Sequence, residues 1–505
     1  ITNRHYVVNI LDDHASHIHN GIILPFATTT SQDLFVIFSL PSWNQQQHKT
    51  LFWSGLGDAG IALALSQLEE SFSKPLLVVT ETAQQAQQLA LELNFFSPQS
   101  CLLFPDWETL PYDRFSPHQD IISARLQALY RQATTPPRFL IAQVSTLMHQ
   151  LIPADYLLSR SFVLSVGQLI NRHDFTRNLE SNGYQRVAQV MEHGEYALRG
   201  ALLDVYPMGG DQPLRIDWLD DEIDSIRQFD VSTQLTTQKI DAITLLPAKE
   251  YPLDNDSVNQ FRQQWRDAFP DANTRTNWLY QAVSKGQSSS GLEYYLALFF
   301  DQLSAITDYL TQETHIVWVG KVAPAAEAFY RDVEERYTIG KLDPNHPLLP
   351  PDRVFLAAND WLARMKPFYR IELSADVRHD NSQHWNLKPL PDLSIDPSRP
   401  DALWRLADWL PSLSSQTKVL LVAESVGRRE VLIELLQKSR LKVMRAEHWS
   451  DFLRAENPGL YLTVAPLSHN LWLDDIVIIS EVSLYGTQVR QTRRRKRSAH
   501  QDFTD

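Results

Sequence analysis

The sequence holds a single cysteine, Cys101, in 505 residues. That excludes an internal disulfide framework and any multi-cysteine zinc site, and it favours a reducing, cytoplasmic setting. A surplus of positive charge is also missing. Lys and Arg number 46 against 60 Asp and Glu, a formal net charge of −14. A general nucleic-acid binder would need a basic face, so that class is excluded for the molecule as a whole, though not for local patches. No window approaches the ~20 continuous apolar residues of a membrane-spanning helix. The first residues show no charged segment followed by an apolar core, so no signal peptide is expected. The sequence begins at Ile1 and closes in a charged run. The expectation is a piece of a longer chain. What is present is ordinary for a folded protein: 43% apolar and 21% charged residues. The length suggests three to four domains at roughly 100–200 residues each.

Residues 1–48 end in the Gln-rich "NQQQHKT" and receive no role. From Leu51 an α/β rhythm begins. "GIALALSQLEESF" has helical spacing, and "KPLLVVTE" (Lys74–Glu81) is a short apolar run suited to a buried parallel strand. "TAQQAQQLALELNFF" is helical again. "SCLLFPDWETLPYDRFSPHQD" starts as a strand and becomes an aromatic, Pro-broken loop. Ser116, Pro117 and Gln119 read as N-cap, N1 and N3 of the next helix, with Ile122, Leu126, Leu129 and Tyr130 as its apolar stripe. "RFLIAQV" (Arg138–Val144) is another buried strand. This alternation predicts a parallel sheet covered on both faces. Near Arg160 the pattern changes to short, half-alternating strands, which predicts a small α+β domain over roughly 160–247. Aromatic-rich helices follow, then the strand "THIVWVGK". Residues 380–402, with their prolines, read as a linker. A second α/β unit runs through "KVLLVAES", "REVLIELLQKS", "LYLTVAPL" and "IVIISEV".

The first α/β unit opens on "SGLGDAGIA". Gly55 and Gly60 have the spacing of a phosphate-binding loop, G-x-x-x-x-G-K-[S/T], but Ile61 and Ala62 stand where Lys and Ser/Thr belong. Lys would bring charge to the phosphates and the hydroxyl would ligate Mg²⁺, and neither aliphatic side chain can do so. With 17 glycines, roughly 0.6 such pairs arise by chance, so the spacing alone is weak. Its place at the head of the first α/β unit is what suggests a nucleotide site that has lost its chemistry. A plain tight turn remains the other reading. "IVIISE" (Ile476–Glu481) is the nearest thing to a strand ending in a catalytic acid, and it is isolated.

The strings "DWETLPYDRFSPHQDIISARL", "VMEHGEYALRGALLDVYP" and "LRIDWLDDEIDSIRQFDV" closely resemble the bacterial transcription-repair-coupling factors. The resemblance runs from about Leu51 to Arg497. Members of this family share a module with the excision-repair protein UvrB. The resemblance implies a degenerate P-loop-type, UvrB-like α/β domain in two parts, 49–160 and 248–380. A small α+β domain is inserted at 161–247, a further α/β domain of unknown role covers 384–490, and a basic linker covers 491–505. It implies the N-terminal half of the family protein, with a UvrB-like module that has lost its nucleotide site and its DNA-gripping hairpin. No cofactor is then expected here. ATP and Mg²⁺, double-stranded DNA and RNA polymerase would belong to the motor and polymerase-binding domains of the other half.

In such proteins the inserted domain binds UvrA. By motif match the candidates are Arg199 in "ALRGALLD", Arg215 in "LRIDW" and Leu219, where the family often has an aromatic. Planar guanidinium forks suit bidentate pairing with carboxylates. The plainer reading of each arginine is an ion pair to Asp204, Asp217 or Glu222. The implied function is recruitment of UvrA to stalled RNA polymerase in transcription-coupled nucleotide excision repair, with restraint of the missing translocase. The alternative is an active UvrB-like ATPase or helicase, which would need the absent lysine.

Four further stretches have plain readings. "DWLDDEID" (Asp217–Asp224) reads as a solvated hairpin or a complement to basic groups. His193 between Glu192 and Glu195 reads as a turn residue. "AESVGRRE" reads as a strand–turn–helix, and "TRRRKRS" as a solvated linker or a phosphate contact.

Overall fold

The computed structural model describes residues 49–71, 74–98, 101–373 and 382–485. All of these lie in the compact unit Leu40–Asp505. The first α/β domain starts with β1 (Thr50–Ser54), α1 (Gly57–Ser71), β2 (Leu76–Thr80), α2 (Ala83–Phe96), β3 (Cys101–Leu103), α3 (Gln119–Thr134) and β4 (Phe139–Gln143). All five residues of β2 are buried, as expected of a strand covered on both faces. Thr82 caps α2, its side chain accepting from the Gln85 amide.

The chain then leaves this sheet for an insertion. β5 (Phe162–Ser165) pairs antiparallel with β12 (Ala242–Leu245) as the strands enter and leave it. Between them lie the helix α4 (Arg172–Ser181) and the strands β6 (Gln185–Arg186), β7 (Glu195–Arg199), β8 (Leu202–Val205), β9 (Leu214–Leu219), β10 (Glu222–Phe229) and β11 (Thr236–Ile240). These form a sheet in the order β11-β10-β9-β8-β7-β6. Its inner face, with Tyr196, Leu203, Ile216, Trp218 and Ile226, joins one contiguous core with the first domain. Afterwards β13 (His315–Val319), α5 (Val322–Gly340), β14 (Arg370–Leu373) and β15 (Ser382–His384) complete the first sheet. Its order is β15-β1-β14-β13-β2-β4-β3, and every pairing is parallel.

The second α/β domain is built from β16 (Lys418–Ala423), α6 (Val426–Lys438), β17 (Met444–Arg445), β18 (Gly459–Val464), β19 (Leu471–Leu473) and β20 (Ile476–Ser480). The order is β17-β18-β16-β20-β19, with β19 alone antiparallel to its neighbour. It rests on α1 and α2 of the first domain. Phe96 meets Trp449 edge to face at 5.0 Å, and Gln88 Nε2 donates to the Pro466 carbonyl at 2.7 Å.

Two sequence expectations change. The cap of α3 is His118, not Ser116. The Ser116 hydroxyl is already committed: it donates to Glu293 Oε2 at 2.7 Å and accepts from the Gly291 amide at 3.0 Å. The stretch read as a linker over 380–402 supplies β15, an edge strand hydrogen-bonded to β1. Leu393, further along it, is buried in the core of the second α/β domain. The rest of that reading, residues 380–381, lies outside the described residues, as do 1–48 and the basic run Thr492–Ser498.

The seam between insertion and first domain is buried and polar. Arg125 Nε donates to Glu250 Oε1 at 3.1 Å with both side chains out of solvent. Lys249 Nζ donates to Gln119 Oε1 at 2.8 Å. Burial pushes the Glu293 carboxyl up to about 7, against the pull of the Ser116 hydroxyl and of Lys249.

Candidate functional site

The glycine frame does open α1 at the carboxyl end of β1, where nucleotide-binding folds place such a loop. What lies over it is protein. The chain leaving β15 crosses the loop, with the Trp385 amide donating to the Ser54 carbonyl at 2.9 Å. The His384 ring nitrogen Nδ1 and the Ser54 hydroxyl lie 2.9 Å apart. The Trp385 indole packs edge to face on Trp53 at 5.1 Å. Gly55 has φ +81°, and a Cβ there would lie 1.9 Å from the Trp385 carbonyl oxygen. No side chain fits. A Cβ on Gly60 would sit 3.3 Å from Leu56 Cβ and 3.6 Å from the side-chain ends of Leu387 and Leu471. Gly55 therefore has a packing reason to be glycine, whereas a Cβ at Gly60 would be only a tight fit. Ala62 is fully buried and Ile61 is half-buried. Neither the residue types nor the space fit ATP or Mg²⁺. Among the described residues, no group of three His, Cys, Asp or Glu side chains could hold a metal ion.

The second candidate place is the outer face of the inserted sheet. Directly paired residues on antiparallel strands point to the same side. The register pairs Arg199 with Leu202, Leu202 with Asp217, Asp204 with Arg215, and Leu219 with Glu222. Arg199, Arg215 and Leu219 thus share the face opposite the core. The two arginines differ in their surroundings. Arg215 makes a two-pronged pair with Asp204, Nε to Oδ1 at 2.7 Å and Nη2 to Oδ2 at 2.9 Å. Its guanidinium also lies 5.0 Å above the Phe229 ring, and Nη1 donates to the Gln234 carbonyl at 3.3 Å. The Asp204 hydrogen bonds are the first reason its pKa is raised. Arg199 is exposed, and its recorded partner is the Ala188 carbonyl at 3.3 Å. Among the described residues no carboxylate pairs with it. Leu219 is 68% exposed. The face thus holds one guanidinium fixed by an ion pair, one exposed guanidinium with a single backbone hydrogen bond, and one bare apolar side chain.

The remaining candidates resolve into structural parts. Asp217 pairs with Arg227 and accepts from the Ser225 hydroxyl at 3.2 Å. Asp221 accepts from Asn171 Nδ2 at 2.9 Å, and Asp220 takes the positive-φ turn position. His193 lies 2.7 Å from Asp120 Oδ1 and 2.8 Å from the Gly210 carbonyl, with its ring on Tyr206, so it ties the insertion to the start of α3. Glu481, at the end of "IVIISE", is buried. It accepts from Arg428 Nε at 2.6 Å and from the Glu424 amide at 2.9 Å, joining the ends of β20 and β16. Ser425 caps α6, which accounts for "AESVGRRE".

Two residues of consequence escape the sequence reading. Trp385, which seals the glycine loop, comes some 330 positions later in the chain. Arg227 joins Arg215 on the outer face. Its signal was present but irregular. A bulge between Ile223 and Ser225 breaks the period of two, so the buried Ile223 and Ile226 stand three apart.

Comparisons with known proteins agree with this layout. Residues 162–251 match the family described as the UvrB interaction domain, and residues 413–484 match the D3 domain of MFD. A transcription-repair-coupling factor of Haemophilus influenzae is 38% identical over 441 residues, covering 86% of this chain and 38% of the relative. That of Escherichia coli is 37% identical over 450 residues, covering 88% and 38%. That of Rickettsia bellii is 23% identical over 431 residues, covering 83% and 37%. The chain spans under two fifths of the length of these relatives. Over the part that it spans, the chain belongs to the transcription-repair-coupling factor family.

Proposed function

We propose that this chain is a catalytically silent docking module that recruits UvrA in transcription-coupled nucleotide excision repair. The observation that carries the reading is the exposed guanidinium of Arg199. It shares one sheet face with the anchored Arg215 and the bare Leu219, within the segment matched as a UvrB interaction domain. Asp204 and the Gln234 carbonyl take three of the five N–H donors of Arg215. Two remain, held in a fixed orientation for a partner's acceptor. Arg199 supplies a second planar fork, and Leu219 an apolar contact between wet edges. Such arginine anchors are each worth about 2 kcal/mol or more in a complex.

The closed glycine loop supports the silent part of the reading. Trp385 and Leu387 take up the approach to the loop, and Ile61 and Ala62 carry neither charge nor hydroxyl. The alternative of an active ATPase gains no support from this geometry. In the whole protein we place RNA polymerase, double-stranded DNA, ATP and Mg²⁺ with the remaining length of the relatives. There this chain would deliver UvrA to a stalled polymerase and restrain the translocase. The test is direct. Purified chain should bind UvrA in a titration and show no ATP turnover above a mock preparation. ATP hydrolysis that survives repurification, or no UvrA binding at all, would overturn the reading.

A further inference from the structure

The outer face of the inserted sheet carries more positive charge than the two candidate arginines. Cross-strand register sets Asp204 beside Arg215, Arg215 beside Arg227, and Arg227 beside Lys239, on four successive strands from β8 to β11. Directly paired side chains on one face have Cβ atoms about 4.5–5.5 Å apart, and like charges so placed repel. Three cations in a row is therefore an unfavourable arrangement for the sheet itself. Among the described residues, two carboxylates form ion pairs with this row: Asp204 with Arg215 and Asp217 with Arg227. Lys239 is exposed, and no carboxylate pairs with it among the described residues. Arg227 is one-third exposed, and its Nε is buried without an acceptor. Arg199 lies one row away, and the carboxylates of Glu195 and Glu222 share the face at its margins. Apolar side chains flank it: Leu219 at the β9–β10 turn, and Leu235 and Met191 beside Gln234 and Val190, all at least half exposed.

We infer that the row Arg215–Arg227–Lys239 is a built receptor for carboxylates, and that it extends the UvrA-docking face across β10 to β11. The occupant is an acidic stretch of the partner lying across the strands, so that its carboxylates meet successive cations. Leu219, four residues along β9 from Arg215, and Leu235, four residues before Lys239, offer exposed apolar contacts on opposite sides of the row. The argument for this occupant is charge complementarity: the row has three cations and two paired carboxylates, so a partner that brings further anions, first of all to Lys239, gains from it. The inference rests on the docking function proposed above and adds two residues to it. Lys239 contributes long-range attraction, and Arg227 a second half-desolvated fork.

The experiment is a binding titration of UvrA against the full chain and its Arg227→Gln, Lys239→Gln and doubly substituted variants, at low and at high salt. The double variant should bind about tenfold more weakly at low salt, with a flatter salt dependence. Lys239→Glu should weaken binding more than Lys239→Gln. Because Lys239 is exposed, these two variants keep the test decisive even if Arg227→Gln unfolds. Binding and salt dependence unchanged in the Lys239 pair would overturn the inference while leaving the docking function intact, provided Arg199→Ala still weakens binding. Absence of UvrA binding by the unsubstituted chain would instead overturn the docking function, and the inference with it.

Discussion

The loop at Gly55 and the sheet face at Arg199 are both places where backbone geometry is laid out for contact, and they are used in opposite ways. At the loop, the chain's own Trp385 carbonyl lies so close that no Cβ fits on Gly55, and Ala62 is fully buried. At the sheet face, Arg199 and Leu219 stand in solvent. In our proposal one region keeps the shape of a ligand site and is closed by the chain's own Trp385, while the other keeps an exposed guanidinium and a bare apolar side chain for a partner. The contrast separates motif shape from function: Gly55 is required by packing, whereas the exposed Arg199 makes a single backbone hydrogen bond within the fold.

The sharpest way to break this contrast is Gly55→Ala. Positive φ and the 1.9 Å approach to Trp385 O together should destabilise the chain by more than about 4 kcal/mol. Gly57→Ala, with only Leu387 Cδ1 at 3.9 Å and a φ of +58°, should cost about 1–2 kcal/mol. Chemical denaturation of both would check the ranking. Equal effects would mean that the loop is not sealed by Trp385.

Arg215→Ala comes next. It leaves Asp204, which is 2% exposed, as an uncompensated buried charge, a loss of roughly 3 kcal/mol. The Arg215→Ala/Asp204→Ala double variant should recover part of that loss, as read by a double-mutant cycle. Arg215 is thus partly a structural residue, and its effect on UvrA binding needs this correction.

The seam between the two regions should titrate. Glu293 is pushed up to about 7 by burial, against about 4.3 for an unfolded glutamate. Between those values the folded chain holds the proton more tightly than the unfolded one. Stability should therefore fall as pH rises through this window, by roughly 3–4 kcal/mol if this group acted alone. Glu293→Gln should flatten that part of the stability profile. A profile unchanged by the substitution would contradict the assignment.

The smallest expected effect is a null one. Restoring the motif residues in an Ile61→Lys/Ala62→Ser variant should yield no ATP binding by calorimetry, because position 62 is enclosed and Trp385 and Leu387 stay in place. Measurable nucleotide binding would show that the lost side chains, rather than the plug, closed the site.

Much of this was legible beforehand, for identifiable reasons. Leu76–Thr80 and Phe139–Gln143 read as strands because parallel strands covered on both faces are continuous apolar runs. The candidate arginines and their possible acid partners were also visible as residue types. Which acid pairs with Arg215 depends on strand register, and register is a non-local property. The α3 cap was misread because the Ser116 hydroxyl serves Glu293, 177 positions away. The same distance effect hid Trp385: nothing near Gly55 in the sequence announces what will lie on it. Arg227 was hidden by a bulge that broke the alternation.

The central claim is that the exposed arginine serves a partner and not the fold. The measurement that tests it most directly is Arg199→Ala, with melting temperature and UvrA affinity determined on the same preparation. Truncating an exposed side chain with one weak backbone contact should change stability by less than about 0.5 kcal/mol, and binding should weaken by at least tenfold. A variant that melts with the unsubstituted chain and binds UvrA equally well would contradict the account.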